Sequence, residues 1–99
     1  MLQAAFIFIA PGADPKTDRN TVNTPSVCLT AIGVSTYEQG AAAAKAMADA
    51  GCGAIELCGG FGIRGTYMVE QAVGGKAKIG VVRFDGHPGL DNKSGDELF

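Results

Sequence analysis

The side chains best suited to polar chemistry gather in two short stretches, Glu56-Leu57-Cys58-Gly59-Gly60-Phe61-Gly62-Ile63-Arg64 and Arg83-Phe84-Asp85-Gly86-His87-Pro88-Gly89. In the second, Asp85 stands two residues from His87, the only histidine of the chain. A nearby carboxylate can orient an imidazole and favour its protonated form. General acid–base work needs a group that titrates near neutrality, so Asp85 and His87 are the candidate catalytic pair. Arg83 joins them on one side of the chain for as long as an extended strand persists. The competing reading is a turn in which Arg83 and Asp85 form an ion pair and His87 faces solvent.

The first stretch carries a glycine turn. Cys58 to Gly62 leads straight into a helix, where free backbone N–H groups and the positive end of the helix dipole suit a carboxylate or phosphate. Gly59, Gly60, Phe61, Gly62 and the nearby Arg64 are therefore candidate contacts for a small anionic ligand. The alternative is that the glycines simply allow a tight turn. No Gly-Lys-Ser/Thr follows, and the dinucleotide Gly-x-Gly-x-x-Gly fingerprint is absent. Cys58 is either a thiolate activated by the helix N-terminus or a buried, inert thiol. Glu56 lies among apolar residues and needs a partner, for which Arg83 is the plausible choice, whether in a structural pair or as a ligand contact. Neither the Cys52–Cys58 spacing nor the lone His87 fits a zinc module, and nothing in the spacing calls for a cofactor.

These stretches sit at the ends of regular elements. Gln3 to Ala10 reads as a strand with Phe6 and Phe8 on one face and Ile7 and Ile9 on the other. Residues 11–25 show no periodicity and read as a long connection. Val27 to Val34 is a second strand. Ser35-Thr36-Tyr37-Glu38 matches a capping box with Ser35 as the cap, opening an alanine-rich helix that stops at Gly51. Gly53 to Cys58 is a third strand, Ile63 to Val73 a second helix with Gly65, Met68, Val69, Ala72 and Val73 on its buried stripe, and Ala77 to Phe84 a fourth strand. The expectation is one α/β domain over residues 1–99. It has a small, mostly parallel four-stranded sheet in the order β-loop-β-α-β-α-β, followed by an irregular C-terminal tail. The placement of the first strand stays open. In such sheets ligands bind beyond the carboxyl ends of the strands, where both polar stretches fall.

The segments Ile55-Glu56-Leu57-Cys58-Gly59-Gly60-Phe61-Gly62 and Val81-Val82-Arg83-Phe84-Asp85-Gly86-His87-Pro88-Gly89 resemble a family of short bacterial proteins grouped as a domain of unknown function. The resemblance extends over nearly the whole chain, through Lys93-Ser94-Gly95-Asp96-Glu97-Leu98-Phe99. It implies a small stand-alone α/β protein and no particular chemistry.

Composition narrows the partners. With 8 Lys and Arg against 10 Asp and Glu, the formal charge is −2, which offers no basic surplus for nucleic acid. The apolar start is too short to cross a membrane and no basic residue precedes it. Three cysteines suit a reduced, cytoplasmic protein. Strands that are apolar on both faces belong in sheets covered on both faces, yet two helices cannot cover both well. The tail or a second copy must supply the rest, and a homodimer or higher oligomer is the favoured expectation. Two functions compete: a small-molecule binding protein or small enzyme with its site at the strand carboxyl ends, and a non-catalytic oligomeric interaction module.

Overall fold

The structure, a computed structural model, describes residues 1–99. Its sheet has five strands: β1 (Leu2–Ile9), β2 (Arg19–Asn23), β3 (Val27–Val34), β4 (Ala54–Leu57) and β5 (Lys78–Val81). They lie in the order β2-β3-β1-β4-β5, with β2 antiparallel to β3 and every other pairing parallel. β1 is therefore central, in register with β3 from Leu2–Val27 to Ile9–Val34. Helices α1 (Tyr37–Asp49) and α2 (Ile63–Val73) make the crossovers to β4 and β5. No helix is long and apolar enough to cross a membrane.

The fifth strand is a correction to the four-stranded expectation. It lies inside the 11–25 connection, where Arg19-Asn20-Thr21-Val22-Asn23 has one large apolar residue and two asparagines, a composition that strands disfavour. What makes it a strand is the bare edge of β3. Thr24 closes the hairpin: its N–H and hydroxyl both donate to the Val27 carbonyl, at 2.9 and 3.0 Å. The Thr21 and Thr30 hydroxyls then meet across the pair at 3.1 Å. β5 is also shorter than expected and stops at Val81.

Both helices lie on the same face of the sheet. The step from β3 over β1 to β4 and the step from β4 to β5 run in the same direction, so right-handed crossovers put α1 and α2 on one side. There Ala5, Ile7, Ile32, Val34, Ile55 and Leu57 meet Ala44 and Ala48 of α1 and Val69 and Val73 of α2 in one buried core. α1 buries a stripe of small residues, Gly40, Ala44 and Ala48, below Tyr37. This lack of bulk lets it lie close to the sheet. The alternate positions, among them Phe6, Phe8, Leu29 and Ala31, face away from both helices and stay only partly buried. The tail does not cover them. It runs over the carboxyl ends of the strands, in two short 3-10 turns at Pro88–Leu90 and Gly95–Glu97.

The cap of α1 also differs from the expected one by a residue. Thr36 is the N-cap, its Oγ1 accepting the Gln39 N–H at 3.1 Å. Gln39 reaches back one residue further, its Oε1 accepting the N–H and hydroxyl of Ser35 at 2.8 and 2.9 Å. The shift follows from Gln39, not Glu38, occupying the third helical position. Thr36→Ala should therefore cost about 1 kcal/mol, lowering the Tm by roughly 4–8 °C in a domain of this size. Ser35→Ala should lower it by less than half as much. Scanning calorimetry of the two variants checks the order.

Candidate functional site

The helix N-terminus that follows the glycine turn is occupied by a carboxylate of this chain. Asp96, in the second 3-10 turn of the tail, sits at the N-terminus of α2. Its Oδ2 accepts the Arg64 N–H at 3.1 Å and its Oδ1 the Gly65 N–H at 3.4 Å. Oδ1 also accepts the hydroxyl of Tyr37 at 2.9 Å, and Tyr37 Oη in turn accepts the Gly62 N–H at 2.9 Å. The close approach requires Gly62, because a Cβ there would overlap the Asp96 carboxyl group. Two further turn donors are taken within the chain, Phe61 N–H by the Cys58 carbonyl at 3.0 Å and Gly60 N–H by the Cys58 sulfur at 3.3 Å, whereas the Gly59 and Ile63 N–H groups find no acceptor in it. The Ser94 hydroxyl accepts the Asp96 N–H, and the Glu97 carboxylate the Ser94 N–H, fixing the tail as it arrives.

Tyr37 is the post around which this end of the molecule closes. It is 0% exposed, stacked on Phe61 with centroids 5.6 Å apart, and flanked by Phe99 at 6.1 Å. Burial, with the Asp96 charge beside it, pushes its hydroxyl pKa up to about 12. For Asp96, burial opposes the charged form. The Arg64 N–H, the Tyr37 hydroxyl, the Gly65 N–H and the Arg64 guanidinium together outweigh it and hold the carboxyl below its usual range.

Beside this knot lies a cleft of about 320 Å³ between α2 and the segment that follows β5. Phe61 and Gly62 form one end, Ile63, Thr66, Tyr67 and Glu70 of α2 one wall, and Val81, Arg83, Phe84 and Asp85 the other, with Ser94 and Asp96 behind. Ile63 and Tyr67 are 63% and 61% exposed, and Phe84 38%, so apolar surface stays open to water here. Phe84 folds onto the turn at Gly59, where a Cβ would overlap its ring.

Of the residues singled out in the sequence, Phe61, Gly62, Arg83 and Asp85 meet in this cleft. The others do not. Because β5 stops at Val81, the segment after it no longer alternates, and Arg83 Nε donates to Asp85 Oδ1 at 2.9 Å across an exposed surface. Asp85 is thus bonded to Arg83 and makes no bond to His87. His87 is half-buried against its own turn instead: its Nδ1 accepts the Gly89 N–H at 2.9 Å and its ring packs on Phe84, 4.6 Å between centroids. The expected Glu56–Arg83 pair does not form either. Glu56 is level with Phe6 and Gly80, points away from the helices, and is exposed. Arg64 lies over the Tyr37 ring, 4.7 Å from its centroid. The sulfur of Cys58 accepts the N–H groups of Ile9 and Gly60, each at 3.3 Å, at the junction of β1 and β4. No three His, Cys, Asp or Glu side chains come together as a metal-binding group.

Sequence reasoning missed Tyr37, Asp96 and the α2 wall. The one signal for Asp96 was the apolar pair Leu98-Phe99 closing a polar segment, since a tail that ends in apolar residues docks somewhere.

The Tyr37–Asp96 contact sets stability at both ends of the pH scale. The depressed carboxyl of Asp96 stabilises the fold above the unfolded pKa of about 3.9 and loses that contribution as pH falls through the folded value. The raised hydroxyl of Tyr37 stabilises it below about pH 10, with the contribution lost towards pH 12. Asp96→Asn should flatten the acid limb of a Tm–pH curve, and Tyr37→Phe the alkaline limb. At pH 7 Tyr37→Phe should also cost about 1–3 kcal/mol, because the buried Gly62 N–H loses its acceptor. Chemical denaturation across pH measures both.

No curated protein and no solved structure matches the chain. One family model does, over residues 2–97, and its description reads family of unknown function (DUF6506). It spans β1 through the Asp96 clasp, every element that builds the cleft, and the chain belongs to this family.

Proposed function

We propose that the chain is a binding protein for a small amphipathic anion, held in the cleft between α2 and the segment after β5. The observation that carries this reading is the lining itself. An apolar trough formed by Phe61, Ile63, Tyr67, Val81 and Phe84 opens at the strand carboxyl ends with Arg83 as its one cation, beside the carboxylates of Glu70, Asp85 and Asp96, of which Asp85 and Asp96 are already hydrogen-bonded within the chain. Its volume of about 320 Å³ suits a small ligand. Arg83 uses only Nε–H on Asp85, so its two terminal nitrogens remain to grip a carboxylate in the planar fork that guanidinium offers.

Binding is a better account than catalysis because the polar groups at the back of the trough are already committed. The Thr66 hydroxyl donates to the Gly62 carbonyl at 2.9 Å, the Ser94 hydroxyl caps the tail turn, and Asp96 holds α2. No hydroxyl in the lining donates a hydrogen bond to a carboxylate or imidazole, the contact by which a base activates a nucleophile.

Octanoate, octanol and acetate separate the contributions of the apolar trough and the cation in a thermal-shift series. Octanoate should raise the midpoint most, octanol less and acetate not at all. A ligand at a hundred times its Kd adds about 2.7 kcal/mol. Arg83→Gln should weaken octanoate while leaving octanol unchanged, and Tyr67→Ala should weaken both. A midpoint indifferent to all three, or an octanoate effect that survives both substitutions, would overturn the reading.

A further inference from the structure

Besides the cleft, the molecule carries a second unpartnered surface, the sheet face turned away from α1 and α2. Along β1 it presents Ala4, Phe6 and Phe8, along β3 Val27, Leu29 and Ala31, all only partly buried, and on β2 Val22 at 61% exposed. Only at one corner does anything cross it, where Ala13 comes down beside Gly33 and Phe8. The bareness has a topological cause. A covering helix on this side would have to come from the step between β1 and β3, which runs opposite to the other two, and that connection holds β2 instead.

We infer that this face is closed by the same face of a second copy, in a two-fold dimer of stacked sheets. Three observations favour a copy of this chain over any other occupant. The first is area. At about 4.8 Å between strands and about 3.3 Å per residue, five strands of these lengths present on the order of 450 Å² of sheet plane. Two such faces together come to roughly 900 Å² of plane before side-chain relief is added, close to the about 1,000 Å² at which specific interfaces begin. The second is charge. The strand positions of this face hold one carboxylate, Glu56, and one ammonium, Lys78, both exposed, with no partner for either on this face. A face that is neutral by one charge of each sign is complementary to itself, not to an acidic or basic partner.

The third is register. Glu56 is level with Phe6, and Lys78, on the neighbouring strand, is level with Ala4. A two-fold axis that crosses the strands near Ala5 therefore turns Glu56 of one copy towards Lys78 of the other, twice. Phe6 and Leu29 then interdigitate near the axis, as inner faces of stacked sheets do, with Phe8 towards the rim.

The test reads mass in solution. Light scattering on the purified chain at tens of micromolar should give about 20 kDa, twice its 10.1 kDa. Leu29→Glu should give the monomer with an unchanged far-ultraviolet spectrum. Should that variant fail to fold, Glu56→Lys serves, because Glu56 is exposed in the single chain and its reversal places only like charges on the face. It should weaken the dimer roughly tenfold or more. Adding Lys78→Glu should restore it. A wild-type mass of about 10 kDa, a dimer indifferent to both Leu29→Glu and Glu56→Lys, or a monomer that sediments with neutral phospholipid vesicles would overturn the inference. The last of these would assign the face to lipid.

Discussion

A right-handed crossover commits its helix to one side of a sheet, and both crossovers here step the same way. From that constraint comes the layering: two helices on one face, a shared core between them, and an opposite face with no helix. It explains why β1 is apolar in both directions while its two sets of side chains live differently. Ile7 is fully buried beneath the helices, whereas Phe6 and Phe8, its neighbours in sequence, remain partly open. It also fixes where the cleft lies, because α2 and the β5 exit meet at the same edge and leave a trough between them.

Along that edge the helix dipole of α2 is met from within. An N-terminus with several free N–H groups attracts an anion whatever its source. Asp96 meets that need from the far end of the sequence, and Tyr37 bridges it to Gly62, so three elements that never touch in sequence share one hydrogen-bonded knot. The knot engages the Gly62, Arg64 and Gly65 N–H groups within the chain and leaves Arg83, outside the turn, as the cation of the neighbouring trough. The same glycines that suggested a ligand cradle in the sequence thus make room for a clasp and for the Phe84 ring.

How much of this could be read beforehand depends on the range of the interaction. The limits of α2 were legible because Gly59–Gly62 and Gly74 punctuate a clear stripe, and β3 because Val27–Val34 is apolar but for Thr30. β2 was not, since Arg19–Asn23 has little tendency to form a strand and takes its conformation from the edge of β3. The Glu56–Arg83 pairing failed on a count of one: β5 ends at Val81, and alternation places Glu56 on the open face. Asp85 and His87 were legible as polar neighbours but not as partners, because the turn at Pro88 sends the imidazole to Gly89. Long-range groups such as Tyr37 and Asp96, 59 positions apart, leave almost no local trace.

The clasp carries a consequence for motion. The amides of Arg64 and Gly65 have no acceptor in their own helix, only one borrowed from 31 or 32 residues downstream. Their exposure to solvent is governed by detachment of the tail, not by fraying of α2 itself. Two adjacent amides at the start of a packed helix thus report, through deuterium uptake, on an opening of residues 94–99 that leaves the core intact. Because Ser94 and Asp96 also line the trough, each such opening takes away part of its wall as well as the cap of α2, so the shape of the trough and the protection of those two amides rise and fall together.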